Sequence, residues 1–114
     1  MRIISIKGTN IDLTDAIHDY VELKVDQLRK LCEEFDPADE IRVEVGKSTK
    51  HHSKGPYFRA EMHLHVPGKN IIASEEAEDL YAAIDKVKEQ TKRQLKEHKD
   101  KLKQKLQKVK RPGK

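Results

Sequence analysis

Tyr57-Phe58-Arg59-Ala60-Glu61-Met62-His63-Leu64-His65-Val66 is the stretch whose reading decides the fold. Phe58, Ala60, Met62, Leu64 and Val66 fall on every second residue, with Tyr57, Arg59, Glu61, His63 and His65 between them. A strand points successive side chains to opposite faces, so this pattern describes a strand with one face buried and the other in water. Pro67-Gly68-Lys69-Asn70 follows as a tight turn, and Ile71 to Ser74 returns as the second arm of a hairpin. Upstream, Glu40 to Lys47 alternates in the same way, with Ile41, Val43 and Val45 inward and Arg42 and Glu44 outward. One-sided alternation is the mark of an antiparallel sheet covered on one face.

Working outward, residues 2–7 read as a first strand with Ile4 and Ile6 on one face, closed by a turn at Gly8-Thr9-Asn10. Thr14 is placed to cap a helix, Leu13 to pack against its first turn, and Asp15 to meet the positive end of its dipole. Ile17, Val21, Val25, Leu28 and Cys32 recur at intervals of three and four, giving one buried stripe that ends near Glu34. Asp36-Pro37 then disfavours further helix. After the hairpin, Ser74 is expected to cap a second helix, with Glu75, Glu76, Glu78 and Asp79 in its first turns. Leu80, Ile84, Val87, Thr91 and Leu95 form its stripe, and Leu102, Leu106 and Val109 continue the spacing up to Pro112. The expected fold is α+β, in the order βαβββα: a four-stranded sheet with two helices packed on one face. Residues 1–99 form the domain. The core is exhausted near Leu95, so residues 100–114 are expected to be a basic helical extension or tail.

A length of 114 residues suits one domain, and 35% apolar against 39% charged residues implies a thin core. Cys32 stands alone, which excludes an intramolecular disulfide and a thiolate metal cluster; it reads as a small buried apolar residue. No apolar run approaches the ~20 residues of a membrane span, and no signal peptide is evident, so the expectation is a soluble, cytoplasmic protein. The net charge of +4 conceals a division: residues 86–114 hold 13 Lys/Arg against 3 Asp/Glu, leaving 11 basic and 17 acidic side chains in residues 1–85. Such asymmetry points to a polyanionic partner. The only Phe, Tyr or Trp side chains are Phe35, Phe58, Tyr20, Tyr57 and Tyr81, so nucleic acid is expected to be held through backbone and shape rather than by base stacking.

Four chemistries compete for these residues. His51 and His52, in the basic loop from Gly46 to Pro56, and His63 and His65, on one strand face, could form a metal site. Zinc requires three or four ligands converging at ~2.0–2.3 Å. Solvent-facing histidines explain these four better, and no metal or cofactor is expected. Glu44, Glu61 and His63 could serve acid–base catalysis, but an open sheet shelters no pocket to shift pKa values, and no catalytic fingerprint is present. The protein is expected not to be an enzyme and to have no small-molecule substrate. A membrane-surface helix lacks Trp or Phe anchors on its apolar side, so no membrane partner is expected. The basic helix is the feature left. Lys88, Lys92, Lys96 and Lys99 recur at three and four residues beside the apolar stripe, and Lys86 and Arg93 share a neighbouring face. Helical turns rise ~5.4 Å, close to the spacing of phosphates along a strand. A solvated face normally mixes signs, and this one hardly does.

The run Ala77-Glu78-Asp79-Leu80-Tyr81-Ala82-Ala83-Ile84-Asp85, followed by Arg93-Gln94-Leu95-Lys96-Glu97-His98-Lys99, closely resembles ribosome hibernation promoting factors and ribosome-associated inhibitor proteins. Leu13-Thr14-Asp15-Ala16-Ile17, Lys24 and Leu28-Arg29-Lys30-Leu31 agree with it, and the resemblance covers about residues 1–100. It implies the same βαβββα fold and a protein that binds the small ribosomal subunit between head and body. There it would occupy the cleft of messenger RNA and transfer RNA, grip ribosomal RNA with basic side chains, and hold the ribosome inactive. Lys24, Lys30, Arg93, Lys96 and Lys99 match the family's basic positions; Lys86, Lys88 and Lys92 are added from charge geometry alone. Gln90 stands where the pattern usually has Lys, and Thr91 where it has Leu, so Lys88 or Lys92 would take over the missing charge. Long members carry a second, ribosome-pairing domain that is not expected here, and the free protein is expected to be a monomer. The inhibitor type has an acidic tail where this one is basic, which leaves open both promotion of and opposition to ribosome pairing. The rival reading is a general double-stranded RNA-binding module or RNA chaperone.

Overall fold

The computed structural model describes residues 1–32, 39–47, 57–66 and 68–110, without the side chains of Cys32 and 106–110. The order is β1 (Arg2–Thr9), α1 (Asp15–Cys32), β2 (Glu40–Lys47), β3 (Phe58–Val66), β4 (Lys69–Ala77) and α2 (Leu80–Lys110). The expected α+β, βαβββα architecture is what forms. The loop carrying His51 and His52, the end of α1 expected near Glu34, and the Cys32 side chain lie outside what is described.

The four strands lie in the order β1-β2-β3-β4. The sheet is mixed, which corrects the antiparallel expectation: β2–β3 and β3–β4 are antiparallel, but β1 runs parallel to β2. The cause is α1, which lies between β1 and β2 and carries the chain back across the sheet, as a parallel pair requires. Inward alternation in β2 and β3 is as expected, with Ile41, Val43, Val45, Ala60, Met62, Leu64 and Val66 all buried. In β1 it is not. A register shift between Ile3 and Ser5 turns Ile3 and Ile6 toward the core and leaves Ile4 36% exposed. An extra residue in one strand of a pair flips the side chains beyond it, so simple alternation fails there. Where β1 meets β2, a Cβ on Gly46 would lie 2.1 Å from the Thr9 carbonyl oxygen, so only glycine permits that approach.

β4 is longer than the sequence suggested. It takes in Lys69 and Asn70 from the expected turn and Glu75, Glu76 and Ala77 beyond Ser74, because pairing with β3 runs from Val66↔Lys69 through Phe58↔Ala77. Ser74 therefore does not cap α2. Asp79 does: its carboxylate accepts from the Tyr81 amide at 3.3 Å and its carbonyl from the Ala83 amide at 3.0 Å. Backbone pairing along a whole hairpin outweighs the local preference of an acidic run for a helix start. At the first helix, Thr14 caps as expected, its hydroxyl accepting from the Ile17 amide at 3.2 Å.

Both helices cover one sheet face. Val21, Val25 and Leu28 of α1 and Leu80, Ile84, Val87, Thr91 and Leu95 of α2 are buried, as their spacing predicts. Thr91 satisfies its hydroxyl within the helix by donating to the Val87 carbonyl at 2.8 Å. At ~1.5 Å per residue α2 spans about 46 Å, and a nine-residue strand only about 30 Å. The helix accordingly runs on past the sheet. Among the described side chains His98 is its last buried one, Leu102 is half-buried, and Lys101, Lys103 and Lys105 are exposed.

Candidate nucleic-acid interface

Tyr20 and Lys24 lie one helical turn apart on α1, facing α2, where Tyr81, Asp85, Lys88 and Lys92 follow at intervals of four, three and four. The two helices join through these residues. The Tyr20 and Tyr81 rings meet edge to face, with centroids 4.9 Å apart. The Tyr20 hydroxyl donates to Asp85 Oδ1 at 2.6 Å, and Lys24 Nζ reaches the same oxygen at 3.0 Å. Lys24 also sits 5.2 Å from the centre of the Tyr20 ring, within cation–π range. The next turn repeats the pairing: Lys88 Nζ donates to Glu89 Oε2 at 2.7 Å.

Each charge is tuned by its partners. Burial pushes the Asp85 carboxyl toward its neutral form. The hydrogen bonds from Tyr20 and Lys24, with the charges of Lys24 and Lys88, outweigh that effect and hold its pKa below the ordinary value. The Asp85 hydrogen bond raises the pKa of both Tyr20 and Lys24. Glu89 is lowered first by the hydrogen bond from Lys88, with the charges of Lys88, Lys92 and Lys24 adding to it. Two carboxylates thus stand inside a cluster of three lysines.

The structure brings together some of the expected basic residues and separates others. Lys24, Lys88 and Lys92 gather in the groove between the helices. Lys88 is a correction to its expected place on an open edge: the residue is only 8% exposed, because its stem lies against the buried stripe while its ammonium reaches out to Glu89. Lys24 is also largely covered, with its side chain 18% exposed. Arg93 and Lys96 are exposed on α2, and Lys92 and Lys99 are half-buried. Among the described residues, no carboxylate lies within ion-pair distance of Lys92, Arg93 or Lys96. Lys86 and Arg93 line a shallow depression with Glu75, Gln90 and the same Asp85 and Glu89. Lys86 Nζ contacts the Glu76 carbonyl at 3.5 Å. Lys30 is exposed in the last turn of α1, apart from this cluster.

Sequence reasoning missed Tyr20, Asp85 and Glu89. The Tyr20–Asp85 contact joins residues 65 apart, and no local pattern encodes such a pairing. The available signal was that Asp85 and Glu89 interrupt a flank otherwise basic.

The uncovered sheet face carries Glu44, Glu61, His63 and His65, the described residues weighed for metal and catalysis. Each has a partner: Glu44 accepts from Thr9 Oγ1 at 2.6 Å, Glu61 pairs with Arg59 and lies 3.8 Å from His63, and His65 Nδ1 lies 2.6 Å from Asn70 Oδ1. A three-residue group that could hold a metal lies instead at His18, Asp19 and Glu22 on α1, a group in which Asp19 and Glu22 are exposed and His18 pairs with Glu22 at 3.3 Å. Among the described residues, no helix is long and apolar enough to cross a membrane.

Comparison with known proteins adds to this geometry. Residues 4–103 match the family model described as Sigma 54 modulation protein / S30EA ribosomal protein. A ribosome hibernation promoting factor of Klebsiella oxytoca is 38% identical over 103 residues, covering 89% of this chain and 97% of its own length. A ribosome hibernation promotion factor of Picosynechococcus is 35% identical over 96 residues, which are 84% of this chain and 48% of that longer protein. The Thermus thermophilus Protein Y N-terminal domain superposes with a TM-score of 0.69 at 35% identity, covering 86% of this chain and 99% of that domain.

Proposed function

The chain belongs to the Sigma 54 modulation protein / S30EA ribosomal protein family, and from that premise we propose that it binds the small ribosomal subunit and holds ribosomes inactive. It does so by lying in the cleft that messenger RNA and transfer RNA would occupy, as a binding protein and not an enzyme, in the cytoplasm. The observation that carries this reading is the α2 flank of Lys92, Arg93 and Lys96, whose side chains have no described carboxylate within ion-pair distance. Cations left open along a rigid helix favour phosphate oxygens, and phosphate contacts fix position without reading bases. Lys24, Lys30, Lys86, Lys88 and Lys99 complete the proposed RNA-binding set. Residues 1–99 act as the seated domain, and the basic segment 100–114 adds affinity along the RNA. The names of the relatives support the same direction: they are hibernation factors.

Co-sedimentation with purified small subunits tests this. The protein is expected in the ribosomal fraction, and initiator transfer RNA is expected to displace it. Migration at the top of the gradient at low salt refutes ribosome binding. Binding that transfer RNA cannot displace supports the rival, a general double-stranded RNA-binding module or RNA chaperone.

A further inference from the structure

We propose that Glu89 is a built-in stand-in for an RNA phosphate, occupying Lys88 until RNA replaces it, whereas Asp85 is a permanent positioning residue that holds Lys24 in place. The inference rests on the RNA-binding reading above and assigns opposite roles to two carboxylates one helical turn apart.

The two lysines most enclosed in the groove are Lys24 and Lys88, with side chains 18% and 10% exposed, and each already holds an anion. A phosphate offers the same chemistry, an anionic oxygen at hydrogen-bond distance of an ammonium. It can therefore engage either lysine only by sharing or replacing a carboxylate.

The two carboxylates differ in what holds them. Asp85 Oδ1 receives two donors from the other helix, the Tyr20 hydroxyl and the Lys24 ammonium. Releasing it would break a link between α1 and α2. An ammonium has three donors, so Lys24 can keep Asp85 and still offer one to RNA. Among the described residues, Glu89 has no such anchor. Its hydrogen bond is to the adjacent residue, Lys88, and its side chain is 63% exposed. Neighbours at i and i+1 do not share a helix face, so this pair asks both chains to bend toward each other. It is the pair easily given up, and its release uncovers a lysine whose stem is already fixed by packing.

Glu89→Gln and Asp85→Asn each raise the net charge by one, which makes them a matched test. Affinity of the full chain for small subunits is measured by co-sedimentation, and in parallel for a duplex RNA by fluorescence titration. Glu89→Gln is expected to bind roughly three- to five-fold more tightly, the scale of one exposed ion pair. Asp85→Asn is expected to bind more weakly by about the same factor. Tyr20→Phe, which removes one anchor of Asp85 at constant charge, is expected to weaken binding about two-fold. Thermal unfolding establishes that each variant is folded, and Tyr20→Phe carries the positioning claim if Asp85→Asn is not. Equal tightening by both charge variants overturns the proposal, because net charge alone would then explain them. An unchanged affinity in Glu89→Gln or in Tyr20→Phe overturns the corresponding half. Wild-type protein that binds duplex RNA but not small subunits defeats the ribosomal reading and leaves this comparison intact; binding to neither defeats both.

Discussion

Replacing Lys92, Arg93 and Lys96 together by Gln is expected to flatten the salt dependence of RNA binding without unfolding the protein. Lys92 and Lys96 are four residues apart on one helix, about 6 Å along its axis, and Arg93 lies between them in sequence. Three cations at that spacing can meet three phosphates. Each such contact contributes about 0.7–0.9 to the slope of log affinity against log salt, so the variant's slope should be shallower by about 2–3. Between about 50 and 200 mM salt, the wild-type protein should lose roughly 20- to 40-fold more affinity than the variant. Arg93 and Lys96 are exposed and Lys92 is half-buried, so stability should change by only about 0.5 kcal/mol per site. Binding to small subunits across a salt series, with circular dichroism as a control for folding, provides the measurement. A folded variant whose line runs parallel to the wild-type line refutes the reasoning. So does a larger change of slope in a Lys24→Gln/Lys88→Gln variant, because those two charges already carry carboxylates.

Gly46→Ala should lower the urea midpoint by the equivalent of about 1–3 kcal/mol, since its new Cβ would press on the Thr9 backbone rather than on a movable side chain. Asp79→Ala should cost about 0.5–2 kcal/mol as the loss of a helix cap, while Ser74→Ala, which removes only the exposed hydrogen bond its hydroxyl accepts from Arg59 Nε at 3.0 Å, should cost less, about 0.5 kcal/mol; thermal melts of the pair distinguish the two assignments of the helix start. The Tyr20–Lys24–Asp85 network should impose a pH window. Asp85 is lowered by folding, so its contribution is complete above the ordinary value of 3.8 and lost as pH falls through the lowered one. Tyr20 and Lys24 are raised, so theirs is complete below 10.0 and 10.5 and lost as pH rises through the raised values. The stability difference between wild type and Asp85→Asn, followed by urea unfolding, should therefore be largest near neutrality and shrink below pH 3.8.

Periodicity alone identified the elements and most of the core. The alternation of Phe58 to Val66 and the three-and-four spacing of Leu80 to Leu95 each admit one buried face, and those faces are the ones buried. The basic character of the second helix was equally plain, because charge is a property of composition. Tertiary structure decided where pairing beyond the local pattern wins. A register shift beside Ile4 turned that residue outward, hairpin pairing drew Glu75 to Ala77 into β4, and the parallel course of β1 followed from α1 lying between it and β2. It also decided which basic residues are open. Lys88 and Lys92 look alike in sequence, four residues apart in one row, yet one is enclosed and paired with Glu89 while the other has no ion-pair partner among the described residues. Packing of its stem against the buried stripe encloses Lys88, and across the α1–α2 contact Tyr20 and Lys24 meet a carboxylate 65 and 61 positions away in the chain. Local sequence determines the sign of the charge on a helix face; only packing determines which charges already have a partner.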